Sequence, residues 1–90
     1  MLSRDVTVKN EIGLHARPAT FFIQLANQFR STVWVENEDR RVSAKSLLGV
    51  LSLGITKGTT VKIVADGNDE QLAVDGLCSL IENNFVDQRQ

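Results

Sequence analysis

Gly13-Leu14-His15-Ala16-Arg17-Pro18-Ala19 stands where one periodicity in this chain gives way to another. On its N-terminal side Val6 and Val8 alternate with polar neighbours, the period-two pattern of a half-buried strand over 2–8, and Asn10-Glu11-Ile12-Gly13 breaks that pattern. On its C-terminal side Ala19, Phe22, Ile23, Ala26 and Phe29 recur at helical spacing and predict a helix over 16–28. Pro18 falls in the first turn of that helix, where its missing N–H costs nothing.

Further along, Val33 and Val35 share one face of a strand over 32–37, with Trp34 on the other. The polar run Asn37-Glu38-Asp39-Arg40 turns the chain into a short strand over 41–43, without the Asn-Gly or Asp-Gly pair of the tightest hairpins. The Glu38 to Arg41 charges read as a solvated hairpin tip. Ser46 opens a short helical run over 46–53, and Gly54 ends it. Val61, Ile63 and Ala65 alternate through a strand over 60–66. A last helix over 69–84 puts Ala73, Leu77, Leu80, Ile81 and either Asn84 or Phe85 on one side, with acidic residues in its first turn. The order strand, helix, strand, strand, helix, strand, helix is an α+β pattern, with helices covering one face of a largely antiparallel sheet. Periodicity leaves two split βαβ strand orders open.

Composition narrows the function classes. Ninety residues form a single domain over 1–90 with one modest core, so a reactive centre must lie on the surface or in a shallow groove. A net charge of −1 lacks the basic balance of a nucleic-acid binder. One cysteine and one histidine make neither an internal disulfide nor an ordinary Cys/His zinc site, so no metal or other cofactor is expected, and Cys78 reads as a packed or semi-exposed thiol. No apolar run approaches the ~20 residues of a bilayer span, and Asp5 falls where a signal peptide would need its apolar core; a cytoplasmic protein is expected.

The chemistry concentrates at the loop-to-helix junction. A histidine near a helix start is usually a capping or surface residue. Here Arg17 follows His15 by two positions, and the free N–H groups of the first turn, the positive helix end and a guanidinium fork can together hold a dianionic phosphate beside the ring. The helix end also disfavours imidazolium, which keeps more of the ring neutral and nucleophilic. The product of that arrangement is a phosphohistidine.

Gly13-Leu14-His15-Ala16-Arg17-Pro18-Ala19, together with Ala44-Lys45-Ser46-Leu47-Leu48-Gly49-Val50-Leu51-Ser52-Leu53-Gly54, resembles the two signatures of the HPr family, phosphocarriers of the bacterial phosphoenolpyruvate-dependent sugar phosphotransferase system. The resemblance covers essentially the whole chain. It implies an HPr-like open-faced sandwich, a four-stranded antiparallel sheet in the order 1-4-2-3 with three helices on one face. It implies His15 as phosphoacceptor through Nδ1, with Arg17 and the Ala16 and Arg17 N–H groups on the phosphoryl oxygens. It also implies Ser46 as a regulatory phosphorylation site, and Thr20, Leu47, Leu48 and Leu51 as a partner-docking surface. Core packing is the ordinary role of such leucines, and at least one of them is expected to point inward. The implied partners are enzyme I and the IIA domains of enzyme II, with HPr kinase/phosphorylase and transcriptional regulators at Ser46. Such a protein is a shuttled substrate and likewise a monomer, with no enzymatic activity of its own, no nucleic acid and no membrane insertion.

Ile12 replaces the small polar residue frequent before the glycine of the histidine loop, so the resemblance does not carry over a side-chain contact from that position. Ser46 alone has an ordinary role as a helix N-cap worth about 1 kcal/mol. A nitrogen-branch HPr retains the histidine, but Ser52-Leu53-Gly54 follows the sugar-branch pattern. A catabolite-repression HPr-like protein carries glutamine in place of His15, whereas a regulatory interaction module acting through the Ser46 patch would differ from a carrier in phosphate flow. An RNA-binding α+β domain would need an aromatic or basic sheet face, of which Trp34 and scattered cations are little.

Overall fold

Val61, Ile63 and Ala65 alternate along the fourth strand and are buried to within 1% of fully, which fixes the face on which the rest of the chain collects. The computed structural model describes residues 1–10, 13 and 16–85. Its elements are β1 (Leu2–Thr7), α1 (Ala16–Ala26), β2 (Thr32–Asn37), β3 (Arg40–Ser43), α2 (Leu47–Ser52), β4 (Thr60–Asp66) and α3 (Glu70–Glu82). The strands form one antiparallel sheet in the order β1-β4-β2-β3. Val6 and Val8, Val33 and Val35, and the alternating trio of β4 meet Ala19, Phe22 and Ala26 of α1, Val50 of α2, and Ala73, Val74, Leu77, Cys78 and Ile81 of α3 in one core. The expected α+β class and the 1-4-2-3 order are both observed.

The element ends differ from the sequence expectation for local reasons. Helix α1 closes at Ala26, because the next turn tightens: the Gln28 N–H bonds the Leu25 carbonyl and the Phe29 N–H the Ala26 carbonyl, three residues back in each case. The Lys45 ammonium takes the free Phe29 carbonyl at 2.7 Å. Helix α3 closes with Asn83 as C-cap: the Asn84 N–H bonds the Ile81 carbonyl and the Phe85 N–H the Leu80 carbonyl, with Asn84 at φ 58°. That Schellman closure turns Phe85 into the core and leaves Asn84 exposed, resolving the alternative left by periodicity. Cys78 is fully buried, and burial pushes its thiol up to about 11, so it stays protonated at neutral pH.

The face away from the helices is not bare. Val64 lies there, opposite both Ser3 and Trp34 in register, and is only 2% exposed. The Arg41 guanidinium sits 5.0 Å from the centre of the Trp34 ring and pairs with the Glu36 carboxylate. Trp34 is on the open face, as expected. The hairpin cations are engaged side chains rather than a purely solvated tip: Arg41 is held as described, and Arg40 reaches Ser52.

Asp69 precedes α3 but makes no side-chain cap to it. Its carboxylate instead accepts the Ser31 hydroxyl and the N–H groups of Arg30 and Ser31, tying the end of the α1–β2 connection to the start of α3. Gly67 makes the closeness possible, since a Cβ there would lie 2.6 Å from the Ser31 hydroxyl oxygen. The Ser31 hydroxyl, then the backbone donors, hold the Asp69 carboxyl down at about 2, against an ordinary 3.8. A carboxyl depressed in the folded state stabilises it above its unfolded pKa and loses that contribution as pH falls through the folded one. Asp69→Asn is expected to lower the Tm at pH 7, and the gap to wild type should close as pH drops from about 4 to about 2. An equal gap at pH 7 and pH 2 in thermal unfolding would contradict this account.

Candidate functional site

The loop that leads toward the histidine is held from Val8 to Gly13. Past β1 the chain stays paired, with the Val8 N–H bonding the Thr59 carbonyl at 2.9 Å and the Gly58 N–H the Val8 carbonyl at 2.7 Å. It then turns at Asn10. The Gly13 N–H bonds the Asn10 carbonyl, and the Asn10 side-chain amide donates back to the Gly13 carbonyl at 2.9 Å. Gly13 adopts φ 71° with its Cα against the Ile55–Thr56 backbone, where an added Cβ would lie 2.5 Å from the Ile55 carbonyl oxygen. Asn10 therefore supplies a side-chain brace to this loop, three residues ahead of the glycine. The Asn-x-x-Gly spacing was the signal for it. The Asn10 Oδ1 is buried and has no hydrogen-bond partner among the described residues.

His15 lies outside the described residues, as does Leu14. The backbone of Ala16 begins α1, and Arg17 is exposed in its first turn, which holds no acidic residue. First-turn N–H groups and an exposed guanidinium at one helix end suit a phosphoryl dianion. Thr20, one turn on, is exposed.

Ser46 is the N-cap of α2, in extended conformation, with its hydroxyl oxygen accepting the Gly49 N–H at 3.1 Å. A tight turn delivers it there: the Lys45 N–H bonds the Ser43 hydroxyl and the Ser46 N–H the Ser43 carbonyl. Leu47 and Leu48 are 40% and 81% exposed, whereas Leu51 is half-buried against the core and Val50 is fully buried. Leu51 is thus the inward-pointing leucine of the three, and Leu47 and Leu48 form the outward edge. Helix α2 packs against α1, which places the elements bearing Arg17 and Thr20 beside the element capped by Ser46.

Charge is segregated along the chain. Residues 40–65 carry Arg40, Arg41, Lys45, Lys57 and Lys62 with no acid, while 66–85 carry Asp66, Asp69, Glu70, Asp75 and Glu82 with no base. Of these cations Arg40 and Lys45 flank α2, while Arg41 and Lys62 lie on the sheet face away from the helices, and α3 carries acids without a base, within a total of −1. Among the described residues no helix is long and apolar enough to cross a membrane.

A family model described as "PTS HPr component phosphorylation site" matches residues 2–83. The HPr-like protein Crh of Halalkalibacterium halodurans is 44% identical over 82 residues, covering 91% of this chain and 98% of its own length. The phosphocarrier protein HPr of Cupriavidus necator is 47% identical over 85 residues, covering 94% and 96%. The crystal structure of HPr-C-His from Thermoanaerobacter tengcongensis superposes with a TM-score of 0.93 at 44% identity, over 98% of this chain and 99% of that one.

Gly13 is the point at which the loop geometry is most exposed to test. Gly13→Ala combines a positive φ with a backbone clash, and is expected to cost about 2 kcal/mol or more of stability. Urea unfolding measures this, and a loss below about 0.5 kcal/mol would show that the loop does not need its close approach to Ile55.

Proposed function

The chain belongs to the HPr family of phosphotransferase-system phosphocarriers, and from that premise we propose that His15 is the phosphoacceptor, loaded by enzyme I and unloaded by the IIA domain of a sugar-specific enzyme II. The observation that supports this reading is the placement of the described residues flanking His15: Gly13 is braced by Asn10, and Arg17 stands exposed in the first turn of α1.

In the loading step a phosphoryl group leaves the phosphorylated donor, its bond to the donor breaking as a P–N bond forms at His15 Nδ1. The Ala16 and Arg17 N–H groups and the Arg17 guanidinium steady its oxygens. Little covalent machinery is needed beyond alignment and charge stabilisation, which suits a site on a small protein's surface. The transfer is reversible in kind, since the same contacts serve acceptance and donation. No cofactor enters, and the protein works as a monomer between larger partners.

Ser46 supports a second layer. A phosphoryl group on its hydroxyl would place a dianion beside Leu47 and Leu48 and reverse the local charge of the surface that Arg17 and Thr20 share. The helix N-terminus tolerates that charge, so the fold persists and docking of acidic partners weakens. An HPr kinase/phosphorylase and transcriptional regulators are the partners fitted to that state. The Crh relative favours a purely regulatory reading, acting through the Ser46 surface alone. His15, which that type replaces with glutamine, favours the carrier. Ser52-Leu53-Gly54 favours the sugar branch over the nitrogen branch.

Incubation with enzyme I and phosphoenolpyruvate is expected to give an acid-labile, base-stable phosphoryl group on the wild-type protein and none on His15→Ala; undiminished labelling of that variant would sink the assignment. Phosphorylation of Ser46 is expected to slow loading of His15 while leaving circular dichroism unchanged. A lost fold would contradict the mechanism.

A further inference from the structure

Helix α2 has only six residues, too few to persist on its own backbone bonds, so the groups at its two ends decide how firmly its leucines are held. Its N-terminus is closed by Ser46. At its C-terminus the last four carbonyls are each accounted for. The Ser52 hydroxyl donates to the Gly49 carbonyl at 2.6 Å. The Leu53 N–H bonds the Val50 carbonyl and the Gly54 N–H the Leu51 carbonyl, both at 3.2 Å. The final carbonyl, that of Ser52, accepts from Arg40 Nη1 at 2.6 Å, while Arg40 Nη2 donates to the Ser52 hydroxyl oxygen at 2.9 Å.

Arg40 is therefore the only one of these partners that comes from another element, the first residue of β3 at the end of the hairpin. Its two-pronged contact is charge-assisted and planar, which fixes direction as well as distance. A cation at a helix C-terminus is also favoured by the helix dipole. The contact joins a continuous hydrogen-bonded path from Arg40 through Ser52 and Gly49 to Ser46.

We propose that Arg40 is a positioning residue for partner docking: it clamps the C-terminal end of α2 to the sheet and so holds Leu47, Leu48 and Leu51 in the arrangement that a phosphoryl donor engages. The proposal rests on the phosphocarrier reading. It differs from a direct partner contact because its effect must run through the order of α2.

The test pairs steady-state phosphorylation by enzyme I with amide hydrogen exchange on the full chain. Arg40→Ala is expected to raise the KM of enzyme I for this protein about threefold to fivefold with kcat unchanged, and to speed exchange at the Leu53 and Gly54 amides by a similar factor. Arg40→Lys, which keeps one donor and the charge, should bring both quantities back to within about twofold of wild type. A raised KM with unchanged exchange would overturn the proposal in favour of direct contact with the partner. Faster exchange with unchanged KM would overturn it as well, leaving a clamp without a docking role. Failure of enzyme I to label the wild-type protein would instead remove the phosphocarrier reading, and the proposal with it.

Discussion

Strand β4 is paired along both edges and buried on its helix-facing side, so a slip of one residue would exchange Val61, Ile63 and Ala65 for Thr60, Lys62 and Val64 under the helices. β2 is paired along both edges too, but no residue on its open face is buried as Val64 is. The register of β1 and β2 follows from it, and so does the site. The segment that leads into β4 carries the Ile55–Thr56 backbone against which Gly13 rests, together with the Gly58 and Thr59 groups that extend the pairing of β1 to Val8. At Gly13 the loop ahead of α1 is thus held by the entry to the central strand β4.

Much of this was legible because period-two and period-3.6 patterns are direct records of burial. Val33 and Val35, the trio of β4 and the apolar side of α1 fall where alternation puts them. Strand order was not legible from periodicity, because which edges pair depends on contacts between segments far apart in sequence; it came from the resemblance of the two signature segments. The ends of α1 and α3 were misplaced by a residue or two, because backbone closures with three- and five-residue spans leave no hydrophobic signature. Asp69 shows a similar limit: an acid before a helix looks like a cap, yet its carboxylate is taken by Ser31, 38 residues away. At the site, the capping role of Ser46 was readable from a serine at the head of a short apolar run, and the inward turn of one leucine from the tendency of leucine to pack in a core. The engagement of Arg40 by Ser52 was not, since a charged residue beside a turn looks the same whether solvated or clamped.

A phosphocarrier handed between larger proteins must present its reactive group without enclosing it. On the proposed docking side Arg40 and Lys45 flank α2, while the acids of α3 keep the total near zero, limiting indiscriminate attraction to polyanions. Exposed Leu47 and Leu48 offer that side a small apolar edge, of a kind suited to a complex that forms and dissolves repeatedly.

The stack of Arg41 on Trp34 above Val64 has an optical consequence. Trp34 is the sole tryptophan and the chain has no tyrosine, so near-ultraviolet absorption above the phenylalanine band and essentially all intrinsic emission come from one indole. That indole lies on the sheet face opposite the helices, in contact with the hairpin cation. Its fluorescence therefore follows the integrity of the β2–β3 hairpin and the central sheet, without interference from a second emitter elsewhere in the fold.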